Sequence, residues 1–252
     1  MLSSGIDIGS RTIELVVLNG NRIVTRKETE VKCDPMRRVN DLLAGVAYDC
    51  IVVTGYGRHL FEVTFDVPTV TEIKAYAVGV AVLIPNARSI LDIGGQDSKA
   101  IAVSSRGKVI KFEMNDRCAA GTGKFLEVIA YSLGYSLEEF DREALKAGRE
   151  LRISNMCTVF AESEVTSLLA RGEDRANIAM GLHRSVVRRA AGMLKRVSLE
   201  TPIVFAGGVA RNVCIRKLLV EELGKEVKVP DHPHMVGAYG AALIARHNEG
   251  SL

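Results

Sequence analysis

No hydrophobic run in this 252-residue sequence is long enough to cross a membrane. A membrane-spanning helix needs roughly 20 consecutive apolar residues, and the apolar stretch over residues 75–84 stops at Pro85. The first residues, MLSSGIDIGS, lead straight into strand-like sequence without the basic region, apolar stretch and cleavage site of an export signal. We therefore expect a globular cytoplasmic protein that does not interact with membranes.

Cysteine pairs and a strong charge of one sign are also missing. The five cysteines are an odd set without a CxxC pair, which disfavours both a disulfide framework and a conventional zinc site. The formal net charge of +3, from 33 basic and 30 acidic residues, is too small to predict nucleic-acid binding. With 47% hydrophobic residues, the chain has enough apolar material for one large domain or two small lobes.

The most informative feature is a segment that occurs twice. Asp7 and Gly9 of IDIGSRTIELVVLNGNRIV recur as Asp92 and Gly94 of LDIGGQDSKAIAVSSRGKVI. In each copy a strand ends at a glycine turn, a second apolar strand follows, and a polar turn leads into a third strand. This repeat predicts a duplication and therefore two related lobes.

Other segments fit alternating strands and helices. The apolar runs Cys50–Thr54 and Ile203–Ala206 each end in a glycine loop and predict buried strands. A hydrophobic stripe at helical spacing predicts a long helix over Arg175–Val197. We predict an α/β protein with two duplicated lobes of the actin, sugar-kinase and heat-shock-ATPase type. Each lobe has a ribonuclease H-like fold, and ATP is expected to bind in the cleft between the lobes. Lobe I is predicted at residues 1–84 plus 237–252, and lobe II at residues 85–236.

The glycine turns carry the predicted chemistry. A tight turn after a buried strand leaves backbone N–H groups free, and glycine lets a phosphate approach them. Asp7 and Asp92 are suited to hold Mg²⁺ through its waters and to orient an attacking water, and Gln96 can position that water without ionising. These three are the predicted catalytic residues. The residues predicted to contact ATP in these turns and in the third glycine loop are Gly9, Ser10, Arg11, Thr12, Gly94, Gly95, Asp97, Ser98, Gly207, Gly208 and Val209.

Two common nucleotide motifs are absent. The chain has no G-x-G-x-x-G, and the segment from Gly121 to Lys124 lacks the earlier glycine and the following hydroxyl residue of a P-loop. A Rossmann dehydrogenase and a P-loop enzyme are therefore disfavoured.

Seven ordered motifs resemble one protein family over almost the whole chain. They are GIDIGS from Gly5, VTGYGR from Val53, LDIGGQDSKAI from Leu91, NDRCAAGTGKFLE from Asn115, FAESEV from Phe160, VFAGGVARN from Val204 and GAYGAAL from Gly237. The sequence is similar to the ATP-dependent activators of 2-hydroxyacyl-CoA dehydratases, in the wider family that includes the ATPase subunits of benzoyl-CoA reductase. We include Gly121, Thr122, Gly123 and Lys124, from one of these motifs, among the residues predicted to bind ATP.

The resemblance implies a homodimer with one 4Fe–4S cluster between its subunits. Its ligands would be Cys118 and Cys157 of each chain, since four thiolates are usual for such clusters. From spacing alone, two buried structural cysteines would be the simpler interpretation. Cys33, Cys50 and Cys214 match no family motif and are interpreted as packing or surface residues. The resemblance further implies a ferredoxin or flavodoxin as electron donor, and a dehydratase or related reductase as acceptor.

The chain departs from the family pattern in its first loop. The family commonly has a lysine there, in a sequence like GSTTTKAV, whereas this chain reads Arg11-Thr12-Ile13-Glu14. A phosphate contact is therefore either lost or supplied by Arg11. Two alternative functions stay open on sequence grounds. One is a small-molecule kinase of the N-acetylhexosamine type, with Asp97 or Asp116 as base, and the other is a nucleotide-gated binding protein without a cluster.

Overall fold

The computed structural model describes residues 1–31, 34–154 and 157–249, so Cys33 lies outside the described residues. The first sheet contains β1 (Leu2–Ile8), β2 (Thr12–Asn19), β3 (Arg22–Glu30) and β4 (Cys50–Thr54). The second contains β5 (Ser89–Ile93), β6 (Ser98–Val103), β7 (Val109–Asn115), β8 (Ile203–Ala206) and β9 (Val227–Lys228). The helices are α1 (Pro35–Leu43), α2 (Arg58–Phe65), α3 (Glu72–Leu83), α4 (Gly123–Ser132), α5 (Leu137–Ala144), α6 (Thr158–Ala170), α7 (Arg175–Val197), α8 (Val213–Leu223) and α9 (Val236–Glu249).

The two sheets share one topology, which confirms the predicted duplication. Their strand orders are β3-β2-β1-β4 and β7-β6-β5-β8-β9. In each sheet two antiparallel hairpin connections are followed by a parallel neighbour of the first strand. The register is also repeated, because Asp7 faces Glu14 across the first hairpin and Asp92 faces Lys99 across the second. The two acidic residues therefore occupy equivalent strand ends.

Helices α3 and α9 pack between the sheets with their backbones in close contact. A Cβ built on Gly240 would lie 1.8 Å from the carbonyl oxygen of Ala75, and one on Gly5 would lie 2.1 Å from that of Ala238. The small residues of α9 thus allow it to pack on α3 and on β1. The adjacent face of α3 packs through Tyr76 and Val80 against the second sheet.

Helix α7 has the bounds predicted from its hydrophobic stripe. It packs with α4, α5 and α8 in the main core on the second sheet. In the parts of the chain that the structure describes, none of the helices combines the length and the apolar character needed to cross a bilayer. The division into lobes at residues 84/85 and 236/237 stays a prediction.

Candidate functional site

The first two glycine turns meet at one cleft of about 660 Å³. They have the same internal bond, since Gly9 N–H donates to Thr12 O and Gly94 N–H donates to Asp97 O, each at 3.0 Å. A Cβ built on Gly95 would lie 2.9 Å from Ser10 Oγ, so the two turns are in contact. The predicted site residues that line the cleft are Asp7, Gly9, Ser10, Arg11, Thr12, Asp92, Gly94, Gly95, Gln96, Asp97, Gly123, Gly208 and Val209.

Five predicted ATP contacts do not line this cleft. Ser98 is buried in β6, and Thr122 Oγ1 donates to Ala119 O at 2.7 Å. Gly121 packs beside Arg189, while the Lys124 ammonium group lies 3.5 Å from Glu127. Gly207 packs directly against Asp92, because a Cβ built on it would lie 2.2 Å from Asp92 Oδ1.

Asp7 is enclosed at the end of β1. A Cβ on Gly55 would lie 2.5 Å from its Oδ1, and a Cβ on Gly237 would lie 2.0 Å from its Oδ2. Burial raises the pKa of Asp7 well above its ordinary value, and the nearby carboxylates of Glu14 and Glu72 raise it further. Both glycines are required because a side chain at either position would displace this carboxyl group.

Asp92 is the equivalent acid at the end of β5. Burial raises the pKa of Asp92 to about 6, although the neighbouring Lys99 ammonium opposes the rise. Its Oδ2 accepts from Lys99 Nζ at 3.1 Å, whereas its buried Oδ1 has no hydrogen-bond partner among the described residues. A buried carboxylate oxygen without a partner is costly. It therefore marks a position where a water or another donor fits.

Lys99 joins three carboxylates at the floor of the cleft. Its Nζ lies 3.1 Å from Asp92, 2.8 Å from Asp97 and 3.0 Å from Glu72, and its side chain is only 1% exposed. Burial acts to lower the pKa of Lys99, but attraction to Asp92, Glu72 and Asp97 outweighs it and raises the pKa above its ordinary value. The ammonium group thus stays charged and offsets part of the negative charge of the site.

Glu14 occupies the position in the first sheet that Lys99 occupies in the second. It lines the cleft, and burial raises its pKa to about 8, although a hydrogen bond from Thr12 opposes the rise. The two copies therefore differ in charge at matched positions. The sequence pattern identified Glu14 as a departure from the family but did not predict that it is buried.

Helix α5 forms a wall of the cleft that sequence reasoning missed. Leu137, Glu138, Asp141 and Arg142 line it, together with Asn212. The helix begins with a capping box at Ser136, but no local signal in the sequence indicates that it faces the cleft.

Asn212 is held by the buried His183 at this wall. His183 Nδ1 lies 2.8 Å from Ala179 O, and its Nε2 lies 3.1 Å from Asn212 Nδ2. Burial lowers the pKa of His183 to about 4, so its imidazole is neutral. A neutral ring that donates from Nδ1 accepts at Nε2, and this fixes the orientation of the Asn212 amide.

The two candidate cluster ligands lie outside the cleft. Cys118 and Cys157 are both exposed and free. Cys157 is the N-cap of α6, and Cys118 precedes α4 by a short loop. Helices α4 and α6 pack against each other. In contrast, Cys214 is buried, and burial raises its pKa to about 12, which makes it unsuitable as a thiolate ligand.

Comparisons with known proteins find one ATPase family over nearly the full chain. Residues 4–245 match the family model described as the BadF/BadG/BcrA/BcrD ATPase family. The activator of lactoyl-CoA dehydratase from Anaerotignum propionicum is 41% identical, with 97% of each chain covered. The activator of the 2-hydroxyisocaproyl-CoA dehydratase from Clostridium difficile, solved with bound ADPNP, is 37% identical with a TM-score of 0.91, covering 100% of this chain and 98% of that one.

A more distant structure confirms the fold class. A glucokinase of the ROK family from Streptomyces griseus is 14% identical with a TM-score of 0.62, covering 98% of this chain and all of that one. At this identity the likeness shows the fold alone.

Proposed function

The chain belongs to the BadF/BadG/BcrA/BcrD ATPase family, and from this we propose that it hydrolyses ATP and donates a low-potential electron to a 2-hydroxyacyl-CoA dehydratase or a related reductase. The observation that carries the proposal is that two equivalent glycine turns, each next to an aspartate, meet at one cleft. Asp7 and Asp92 end equivalent strands and both line it. This arrangement suits a nucleotide whose phosphates lie between two lobes.

The residues of the cleft fit a magnesium nucleotide. Mg²⁺ prefers oxygen ligands and usually keeps several waters. The unpartnered Asp92 Oδ1 and the enclosed carboxyl group of Asp7 offer acceptors for such waters. The ion would neutralise phosphate charge and draw the carboxyl groups toward their ionised forms.

Each residue has a defined part in hydrolysis. Asp7, Asp92 and Gln96 orient the water that attacks the terminal phosphorus, whose bond to the oxygen of the departing ADP breaks. Ser10, Thr12 and the backbone N–H groups of the glycine turns bind phosphate oxygens. Lys99 holds Asp92 and Asp97 in place and is a positioning residue.

A shared 4Fe–4S cluster fits the exposed thiols of Cys118 and Cys157. One chain supplies two thiolates, so two chains around a two-fold axis supply the four that such a cluster needs. When bound, the cluster would supply the redox chemistry, and Cys118 and Cys157 of each chain would hold it. We infer a homodimer, with a reduced ferredoxin or flavodoxin as donor.

The test is ATP-dependent electron transfer. The anaerobically purified protein is reduced with dithionite, freed of excess reductant and mixed with a 2-hydroxyacyl-CoA dehydratase. We expect dehydratase activity only when Mg²⁺ and ATP are present, and none with Cys118→Ser. Activation without ATP, or equal activation by Cys118→Ser, would contradict the proposal. Phosphorylation of an amino sugar by the wild type would favour the kinase alternative.

A further inference from the structure

Arg11, which lines the cleft, pairs with Glu127 of α4. Its Nη1 lies 2.6 Å from Glu127 Oε2, and the two side chains are 41% and 39% exposed. The same Glu127 oxygen lies 3.5 Å from Lys124 Nζ. Glu127 therefore keeps a cationic neighbour when Arg11 moves away.

The Arg11 side chain begins where the two turns meet. A Cβ built on Gly95 would lie 3.1 Å from Arg11 Cβ, and Arg11 itself lines the cleft. Its guanidinium group has five N–H donors in a planar fork that matches a phosphate group as well as a carboxylate. A phosphate between the turns would thus lie within the range of a different Arg11 rotamer.

Glu127 is held near the turns by the backbone of its own helix. Gly123 N–H donates to Gly94 O at 2.9 Å, and Lys124 N–H donates to Gly95 O at 2.7 Å. Glu127 lies one turn further along α4, so its carboxylate stays close to the phosphate site as a competitor for Arg11.

We propose that Arg11 exchanges Glu127 for the terminal phosphate of ATP, and that this exchange distinguishes ATP from ADP. The inference rests on the proposed function, because it needs a nucleotide in the cleft. ADP lacks the γ-phosphate, so with ADP Arg11 stays on Glu127. With ATP, the cost of breaking an exposed ion pair is small and the new charge-assisted hydrogen bonds outweigh it.

The experiment titrates four proteins by calorimetry: the wild type, Arg11→Gln, Glu127→Gln and the double variant. Each is titrated with ADPNP and, separately, with ADP, in the presence of Mg²⁺. We expect Arg11→Gln to weaken ADPNP binding by roughly 10-fold to 100-fold, the loss of a charge-assisted hydrogen bond. ADP binding should change less than about twofold, since an exposed ion pair contributes little. Glu127→Gln should strengthen ADPNP binding by about twofold to fivefold, because it removes an exposed carboxylate that competes with the phosphate for Arg11.

The double variant separates a true exchange from a general charge effect. If Glu127 acts through Arg11, then Glu127→Gln has no effect in the Arg11→Gln background. Equal strengthening in both backgrounds, or equal weakening of ADPNP and ADP by Arg11→Gln, would overturn the inference and leave the proposed function intact. If the wild type binds neither nucleotide, both fail. A matched control is Glu222→Gln, which breaks the exposed pair with Lys195 at 3.0 Å and should leave both affinities unchanged.

Discussion

Replacing Lys99 with methionine is expected to lower the free energy of unfolding by about 3–5 kcal/mol, because removing one partner of a buried ion pair leaves the others uncompensated. The three partners are Asp92, Asp97 and Glu72, all within 3.1 Å of the lysine nitrogen. Methionine keeps most of the apolar side chain, so lost charge rather than lost volume dominates. A typical domain has about 5–15 kcal/mol of total stability, so the variant should be marginal.

The pH dependence of this loss identifies its cause. The Lys99 ammonium group opposes the rise in the pKa of Asp92, so without it that pKa rises further in the folded protein. A raised folded-state pKa gives stability that is present at low pH and is lost as the pH rises through that value. The loss caused by Lys99→Met should therefore be smaller at pH 5 than at pH 8.

Urea unfolding at pH 5 and pH 8 measures the loss of stability caused by Lys99→Met, with Lys146→Met as the control. Lys146 is exposed and pairs with Glu143 on the surface, so its replacement should change the unfolding free energy by less than about 1 kcal/mol. A loss of the same size for both variants would show that the Lys99 group does not act as a buried ion cluster.

Replacing Asp92 with asparagine is expected to lower the rate of ATP hydrolysis by roughly 10-fold to 100-fold, the effect of losing a residue that orients a metal-bound water. Asparagine has nearly the same shape, so the close contact with Gly207 is retained. The variant loses the negative charge that Lys99 and Mg²⁺ would both use.

Phosphate release at saturating Mg²⁺ and ATP measures this effect. The control is Asp231→Asn, because Asp231 is exposed and does not line the cleft. A rate within about twofold of the wild type for Asp92→Asn would be far below the loss expected for such a residue, and it would remove Asp92 from the catalytic set.

The duplicated sheets could be predicted from sequence because their signals are local. Asp7 and Asp92 end apolar strands at glycine turns, and the hairpin register places each acid beside its turn. Once two such hairpins are recognised, their strand ends and glycine loops follow from short-range rules. The bounds of α7 followed from its stripe of apolar residues for the same reason.

The electrostatic partners of the site could not be predicted in this way. Lys99 lies in strand β6, and the sequence pattern of this strand does not show that both of its faces are buried. Its partner Glu72 comes from helix α3. Arg11 and Glu127 are likewise far apart in sequence and meet only because α4 is bonded to the second turn. Such contacts depend on how elements pack, which periodicity does not encode.

The cysteines could be assigned a role only from the motifs around them. The spacing of Cys118 and Cys157 corresponds to no common ligand pattern, and only the surrounding motifs distinguish them from structural thiols. Their exposure separates them from the buried Cys214, and their role as cluster ligands stays a prediction.

The measurement that tests the account most directly is the amount of iron and acid-labile sulfide per chain in protein purified without oxygen. The account predicts about two irons per chain, for one four-iron cluster in each dimer. It predicts nearly none in Cys118→Ser or in Cys157→Ser, and an unchanged amount in Cys214→Ala. A wild type that holds no iron after reconstitution with iron and sulfide, or iron that survives both serine substitutions, would contradict the shared cluster on which the proposed electron transfer rests.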